Sequence, residues 1–211
     1  MAQQQPICIS HSTGAGGEAI GRAVAQRLGF RYVDDEVIAE AAEWAEIDPA
    51  LVADVERRKS TVSRLLGNIA AQSSPTRLPT GDSTRQLPTD ADLRTVIVDA
   101  VRSVAAEGSV VIVAHAASFA LAGRNALRVF VTASPETRAR RLAAERGIEE
   151  RDAAKVIKEE DTARADYLKR FYAIDHELPT HFDIVISTDV LTPEQATEVV
   201  AAASLDSPTG G

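Results

Sequence analysis

The chemistry with the clearest spacing lies near the N-terminus, where Gly14, Gly16, Gly17 and Glu18 follow the short apolar run Ile7 to Ile9 and precede helical spacing through Leu28. A glycine-rich turn between a strand and a helix brings bare backbone N–H groups to an anion, and the helix start adds partial positive charge. The pattern departs from the phosphate-binding sequence G-x4-G-K-[ST]. With Gly16 as the second glycine, His11 takes the first, Gly17 takes the lysine and Glu18 takes the Ser/Thr. The turn is therefore either a phosphate cradle or a flexible connection packed close to a sheet. Without the lysine, the point charge that reaches the terminal phosphates is gone. The Glu18 carboxylate either repels phosphate, serves as an oxygen ligand to Mg2+, or favours the positive end of its own helix.

Other candidates share that neighbourhood. His11 and His115 each follow an apolar run, where an imidazole either donates to phosphate or serves as a bonded structural group. Arg138 and Arg141 stand three residues apart after Ser134-Pro135, with Arg140 and Arg146 near them. Two guanidinium groups on one helical face suit phosphoryl-transfer charge stabilisation; the alternative is a solvated face paired with Glu136 and Glu145. Farther on, Arg164 falls on the apolar stripe Ala153, Val156, Ile157, Tyr167, Leu168 and Phe171, with Asp161 one turn before it. An arginine on a buried side needs a partner, here either Asp161 or a ligand anion.

The elements that must position these residues are short strands alternating with helices. Strands are expected at Ile7 to Ser10, Phe30 to Val33, Val110 to Ala114, Leu127 to Val131 and Phe182 to Ser187. Helices are expected after the first loop to Gly29, from Asp34-Asp35-Glu36 to about Trp44, again after Pro49, over 93–107, from Ser134-Pro135, over 149–172, and after the capping box Thr192 to Gln195. The run Val110 to Ala114 has the pattern of a strand buried on both faces. This is an α/β fold: a three-layer arrangement with a five-stranded parallel sheet and helices on both faces. Ligands on such sheets bind beyond the carboxyl ends of the strands, so Ser10 to Glu18, Asp34 to Glu36, Ala114 to Ala116, Thr132 to Ser134 and Thr188 to Asp189 are the candidate positions.

Composition bounds the function. A chain of 211 residues, 45% hydrophobic and 26% charged, is expected to be a single globular domain over 1–211, with a flexible loop at 72–92 and a loose tail at 206–211. The net charge of −8 argues against nucleic acid and anionic membrane surfaces as partners. No apolar run approaches the ~18 to 20 residues that span a bilayer, and the N-terminus lacks the features of a signal peptide. A cytoplasmic protein is expected. Cys8 is the sole cysteine, so a disulfide framework within the chain is impossible and a buried thiol is expected, and no Cys/His spacing suggests zinc; no metal ligand set is certain.

Six collinear blocks resemble the cytidylate kinase-like family, relatives of the nucleoside monophosphate kinases. Ile9 to Gly21 resembles I-S-R-E-x-G-S-G-G-R-E-I-G, and Phe30 to Glu36 resembles a Y-Y-D-K-E segment. Val110 to Ala116 lines up with V-I-V-G-R-G, Leu127 to Arg141 with L-R-V-F-I-x-A-x-x-E-x-R-x-x-R, Asp161 to Tyr167 with D-K-x-R-A-x-Y, and Phe182 to Thr188 with Y-D-L-x-I-N-T. The match covers residues 7 to about 46 and 105 to about 203. It implies a P-loop kinase-like domain with a helical lid and a helical acceptor-side insertion. The implied activity is phosphoryl transfer, dependent on ATP and Mg2+, to a nucleotide or small phosphorylated molecule.

The resemblance puts the phosphates of ATP at His11, Gly14, Gly16, Gly17, Glu18 and His115, the acceptor near Asp34 and Glu36, catalytic arginines at Arg138, Arg141 and Arg164, and Asp161 in the lid. Three of the family's guanidinium groups are replaced: His11 and His115 each stand for an arginine, and Glu18-Ala19 stands for Arg-Glu. Each charge-assisted hydrogen bond is worth about 1.5–3 kcal/mol, so their loss threatens orders of magnitude in phosphate affinity. The alternative expectation is a catalytically impaired pseudokinase that binds a nucleotide or a protein partner; a homo-oligomer is compatible with either.

Overall fold

The computed structural model describes residues 4–34, 90–114 and 116–205. The five strands are β1 (Ile7–His11), β2 (Arg31–Asp34), β3 (Val110–Val113), β4 (Leu127–Thr132) and β5 (Ile184–Ser187). They form one sheet in the order β2-β3-β1-β4-β5, with all four pairings parallel. In register, Ile9 faces Val113 on one side and Val129 on the other, which sets β1 at the centre of the sheet.

The helices are α1 (Gly17–Leu28), α2 (Asp90–Ala106), the single turn α3 (Ala117–Ala120), α4 (Pro135–Arg146), α5 (Glu150–Tyr172) and α6 (Pro193–Leu205), with a 3-10 turn at Pro179–His181. They cover both faces of the sheet. On one face Ile20, Val24 and Ala25 of α1 and Ala196 and Val200 of α6 pack with Ile7, Ile9 and Val129. On the other, Ile97 and Val101 of α2 and Tyr167, Leu168 and Phe171 of α5 pack with Cys8 and Ile112. Each β-branched residue of β3 is at most 3% exposed, and burying such a side chain contributes about 1.5–3 kcal/mol. The parallel α/β sheet expected from the alternation is the one observed.

The local punctuation acts as its chemistry requires. The Ser134 hydroxyl accepts from the Thr137 N–H with Pro135 at the first helical position of α4. Thr192 and Gln195 exchange their bonds at the start of α6. Some boundaries move. Helix α2 begins at Asp90, inside the stretch expected as loop to residue 92, and β5 begins at Ile184, with Asp183 bonded to Arg128 just before it. The turn α3 was not foreseen; four residues are too few to carry a period. The expected helices between Glu36 and residue 66, with the acceptor-side insertion, lie outside the described residues, as do residues 72–89 of the expected loop and the tail 206–211. A small separate cluster joins Ala139, Leu142 and Ala143 of α4 to Ala153 and Ile157 of α5, so these two helices form a pair of their own beside the sheet.

Candidate functional site

The loop between β1 and α1 lies beyond the carboxyl end of the central strand. Gly14 and Gly16 have φ of 77° and 83°, the left-handed region that glycine enters without strain. Gly14 also has no room for a side chain, since a Cβ there would stand 2.7 Å from the Arg138 carbonyl oxygen. Gly16 is the N-cap of α1, and no side chain caps that helix. Ser12 and Ala15 spend their N–H groups on the carbonyls of Val131 and Ser12, both at 3.0 Å. The N–H groups of Gly14, Gly16, Gly17 and Glu18 donate to no described backbone or side-chain group. Four idle donors at a helix start are an arrangement suited to an anion.

The carbonyl side of the same loop is filled by arginines. Arg164 donates to the His11 carbonyl at 3.2 Å, Arg138 to the Thr13 carbonyl at 2.7 Å, and Arg141 to the Ala15 carbonyl at 3.5 Å. The Thr188 hydroxyl also donates to the Ala15 carbonyl, at 2.9 Å. Arg138 and Arg141 do share a helical face, and it is turned into the loop. The alternative of a solvated face paired with Glu136 and Glu145 does not hold: Arg138 is 7% exposed and bridges to Asp161 with both terminal nitrogens, at 2.6 and 3.0 Å. The expected choice of partner for Arg164 is corrected too. Asp161 belongs to Arg138, and Arg164 forks onto Glu177 with two bonds of 2.7 Å. Glu177 sits in the connection between α5 and β5, and no pattern in the sequence pairs it with α5. Arg141 bonds to the Thr188 hydroxyl at 2.7 Å and the Thr188 carbonyl at 2.6 Å.

His11 fills the space behind Gly17. A Cβ on Gly17 would lie 2.3 Å from the His11 Cβ and 2.4 Å from its ring, so these two positions interlock. A lysine at 17 has no place while His11 keeps this position. Burial first, then the positive charge of Arg164 and Arg138, drives the His11 imidazole from 6.5 down to about 4, so the ring is neutral near pH 7. Its Nδ1 lies 3.4 Å from the Ser12 carbonyl. Beneath the loop, the buried Ser10 hydroxyl bonds to the Ala114 carbonyl and the Ser118 hydroxyl, tying β1 to the end of β3 and to α3.

The other strand-end residues divide. Thr132, Thr188 and Ser12 join the loop's support: Ser12 and Thr132 share a hydroxyl contact of 3.3 Å, and the Thr188 N–H donates to the Thr132 carbonyl at 2.8 Å. Asp189 accepts from the Ser134 hydroxyl at 2.8 Å and from the Ser134 N–H, and these bonds hold its carboxyl down at about 2. Asp34 ends β2, with β3 between it and β1, and pairs with Arg22 at 3.4 Å. Glu36 and His115 lie outside the described residues. Glu18 is exposed in the first turn of α1, with no ion pair to a described residue. Among the described residues no three His, Cys, Asp or Glu side chains gather as a metal site, and no helix is long and apolar enough to cross a membrane.

Comparison with known proteins follows the same outline. A cytidylate kinase of Methanocorpusculum labreanum is 25% identical over 209 residues, covering 93% of this chain and 94% of that protein. A cytidylate kinase of Ignicoccus hospitalis is 28% identical over 195 residues, covering 92% and 95%. An uncharacterised protein from Eubacterium ventriosum shares the fold with a TM-score of 0.68 at 17% identity, covering 97% of this chain and 100% of that one. A shikimate kinase from Bacteroides thetaiotaomicron shares it with a TM-score of 0.51 at 17% identity, covering 95% and 98%. The model of the cytidylate kinase-like family matches residues 6–190, and the chain belongs to that family.

Proposed function

We propose that this chain is a kinase-like phosphotransferase that holds the phosphates of ATP in the loop Gly14 to Glu18 and passes the terminal phosphoryl group to a nucleotide or small phosphorylated acceptor. The observation that carries this reading is the set of idle N–H groups on Gly14, Gly16, Gly17 and Glu18 at the uncapped start of α1. The kinase names of the relatives support the reaction class, and their cytidylate specificity makes CMP the first acceptor to test.

In the transfer, an acceptor oxygen attacks the γ-phosphorus, the bond from that phosphorus to the bridging oxygen breaks, and ADP leaves with the electron pair. Little covalent work falls to the protein in such a reaction, so positioning and charge dominate. The guanidinium groups of Arg138, Arg141 and Arg164 bring positive charge to the loop where negative charge develops. Asp34 and Glu36 stand on the acceptor side of this reading and His115 on the phosphate side, with Asp161 holding Arg138 in the lid. Mg2+ would neutralise charge on the phosphates. The chain suits an ion that arrives on the nucleotide, since Glu18 offers one exposed carboxylate and the other ligands would be phosphate oxygens and water.

A second reading has its own observation. The family block already carries glycine where Gly17 stands, so the departures that count are His11, His115 and Glu18, and Asp161 and Glu177 already occupy two of the three arginines. A nucleotide-binding pseudokinase would be built in this way. Calorimetric titration with ATP, ADP and CMP, with and without Mg2+, followed by an ADP-release assay, separates the two. Binding with release on a monophosphate supports the enzyme. Saturable ATP binding with no release on any monophosphate selects the pseudokinase, and no binding at millimolar nucleotide ends both.

A further inference from the structure

Three arginines reach the loop, and they reach it at alternate residues: the carbonyls of 11, 13 and 15. In a trans peptide the C=O of one residue and the N–H of the next point in opposite directions. A guanidinium that holds the Thr13 carbonyl therefore turns the Gly14 N–H the other way, and one that holds the Ala15 carbonyl does the same for Gly16. The arginines thus aim the donors of the cradle while standing behind it.

Their charges are not equivalent. Arg138 is matched by Asp161 and Arg164 by Glu177, each through a two-pronged bridge. Arg141 bonds only to neutral oxygens, those of Ala15 and Thr188, and forms no ion pair with a described residue. One uncompensated positive charge therefore lies against the peptide that ends in the Gly16 N–H, in a loop whose lysine position is glycine.

We propose that Arg141 is a positioning residue that does from behind the loop what a loop lysine does from within it. It supplies the site's unbalanced positive charge and, with Thr188, aims the Gly16 N–H at a bound phosphate. The ligand class is a polyphosphate chain, such as the terminal phosphates of a nucleoside triphosphate. This inference rests on reading the loop as a phosphate site. It differs from a lid role, because the guanidinium is anchored to the end of β5 and acts through backbone.

The test is calorimetric titration of the full chain with inorganic tripolyphosphate and with ATP at low and high salt, with the Gly14, Gly16 and Gly17 amide resonances followed by NMR. Four proteins are compared: wild type, Arg141→Gln, Arg141→Lys and Thr188→Val. Glutamine keeps a donor for the Thr188 oxygens and drops the charge. It is expected to weaken tripolyphosphate binding about tenfold or more and to flatten its salt dependence. Lysine restores the charge and is expected to recover most of that loss. Thr188→Val leaves the charge in place and is expected to weaken binding less, with the wild-type salt dependence.

Wild-type affinity in Arg141→Gln overturns the proposal, as does an Arg141→Lys protein as weak as Arg141→Gln or an unaltered salt dependence in both. Should Arg141→Gln not fold, the Arg141→Lys and Thr188→Val pair decides. Lysine binding weakened more than Thr188→Val binding then overturns the charge assignment, and the reverse order supports it. A wild-type protein that binds neither tripolyphosphate nor ATP, with unmoved glycine amides, overturns the phosphate-loop reading itself, an outcome distinct from any failure of the variants.

Discussion

The two ends of the central sheet use arginine for opposite purposes. At the amino end, Arg128 forks onto Asp183 at 2.8 and 3.1 Å, the Arg128 N–H donates to the same carboxylate, and the Asp183 N–H returns a bond to the Arg128 carbonyl. Backbone bonds from Leu127 to Pro6 and from Ser109 to Gln4 close the neighbouring strands. The donors and acceptors named there are paired with one another, so these bonds join strands. At the carboxyl end, Arg138, Arg141 and Arg164 take the carbonyls of Thr13, Ala15 and His11, while the amides of Gly14, Gly16, Gly17 and Glu18 stay idle. A buried polar segment is stable only when its groups are paired, and pairing one side alone gives a loop that is fixed in shape and still open to an anion.

The change expected to break the loop end most severely is Gly17→Lys, which restores the missing lysine of the motif. Its Cβ meets the His11 side chain at 2.3 Å, and overpacking of this kind costs about 1–3 kcal/mol or more. Chemical denaturation is expected to register that loss, and the double variant His11→Gly, Gly17→Lys to recover it; a stable single variant would show that the interlock yields easily.

The response to acid is comparable in size. The folded-state pKa of His11, about 4, lies below its ordinary 6.5, so the unfolded chain binds its proton first as the pH falls. The stability tied to a neutral ring is complete above about 6.5 and is lost as the pH drops toward about 4, a term of roughly 3 kcal/mol. Wild type should therefore lose unfolding free energy relative to His11→Asn between pH 7 and pH 4, and the His11 ring resonances should not titrate near pH 6.5.

Smaller again is Arg138→Met, which strands the Thr13 carbonyl and removes the partner of Asp161. A loss of about 1–3 kcal/mol is expected on denaturation, together with weaker ATP binding, because the Gly14 N–H is no longer aimed. Arg128→Met is the counterpart at the other end. Its bridge to Asp183 is partly exposed, so about 1 kcal/mol of stability is expected to go, with ATP affinity unchanged. Equal effects of the two substitutions on ATP affinity would erase the distinction between the ends.

The sheet was legible because its signals are local. Val110 to Val113 is apolar throughout because both faces of β3 are covered, and Ser134-Pro135 opens α4 through a bond only three residues long. The strand-end rule likewise singled out Thr188, since the chain must turn there whatever its neighbours are. The site was legible in membership and less so in wiring. Arg138, Arg141, Arg164, Asp161 and Thr188 could be picked from the sequence, while which guanidinium each would meet, and the partners at Glu177 and the loop carbonyls, could not.

The sequence by itself determined the alternation of elements, the position of the glycine loop and the absence of its lysine, because each depends on residues within a few places of one another. Only the tertiary structure decided what stands in the lysine's place. Helix α5 and the connection after it bring Arg164 against His11, 153 residues away in sequence, and Glu177, 13 residues away, onto Arg164. Arg141 reaches Ala15 and Thr188 only when β1, α4 and the end of β5 are assembled. Spacing in a sequence cannot rank two carboxylates competing for one guanidinium; the packing of α4 on α5 does, by setting which of them lies within reach.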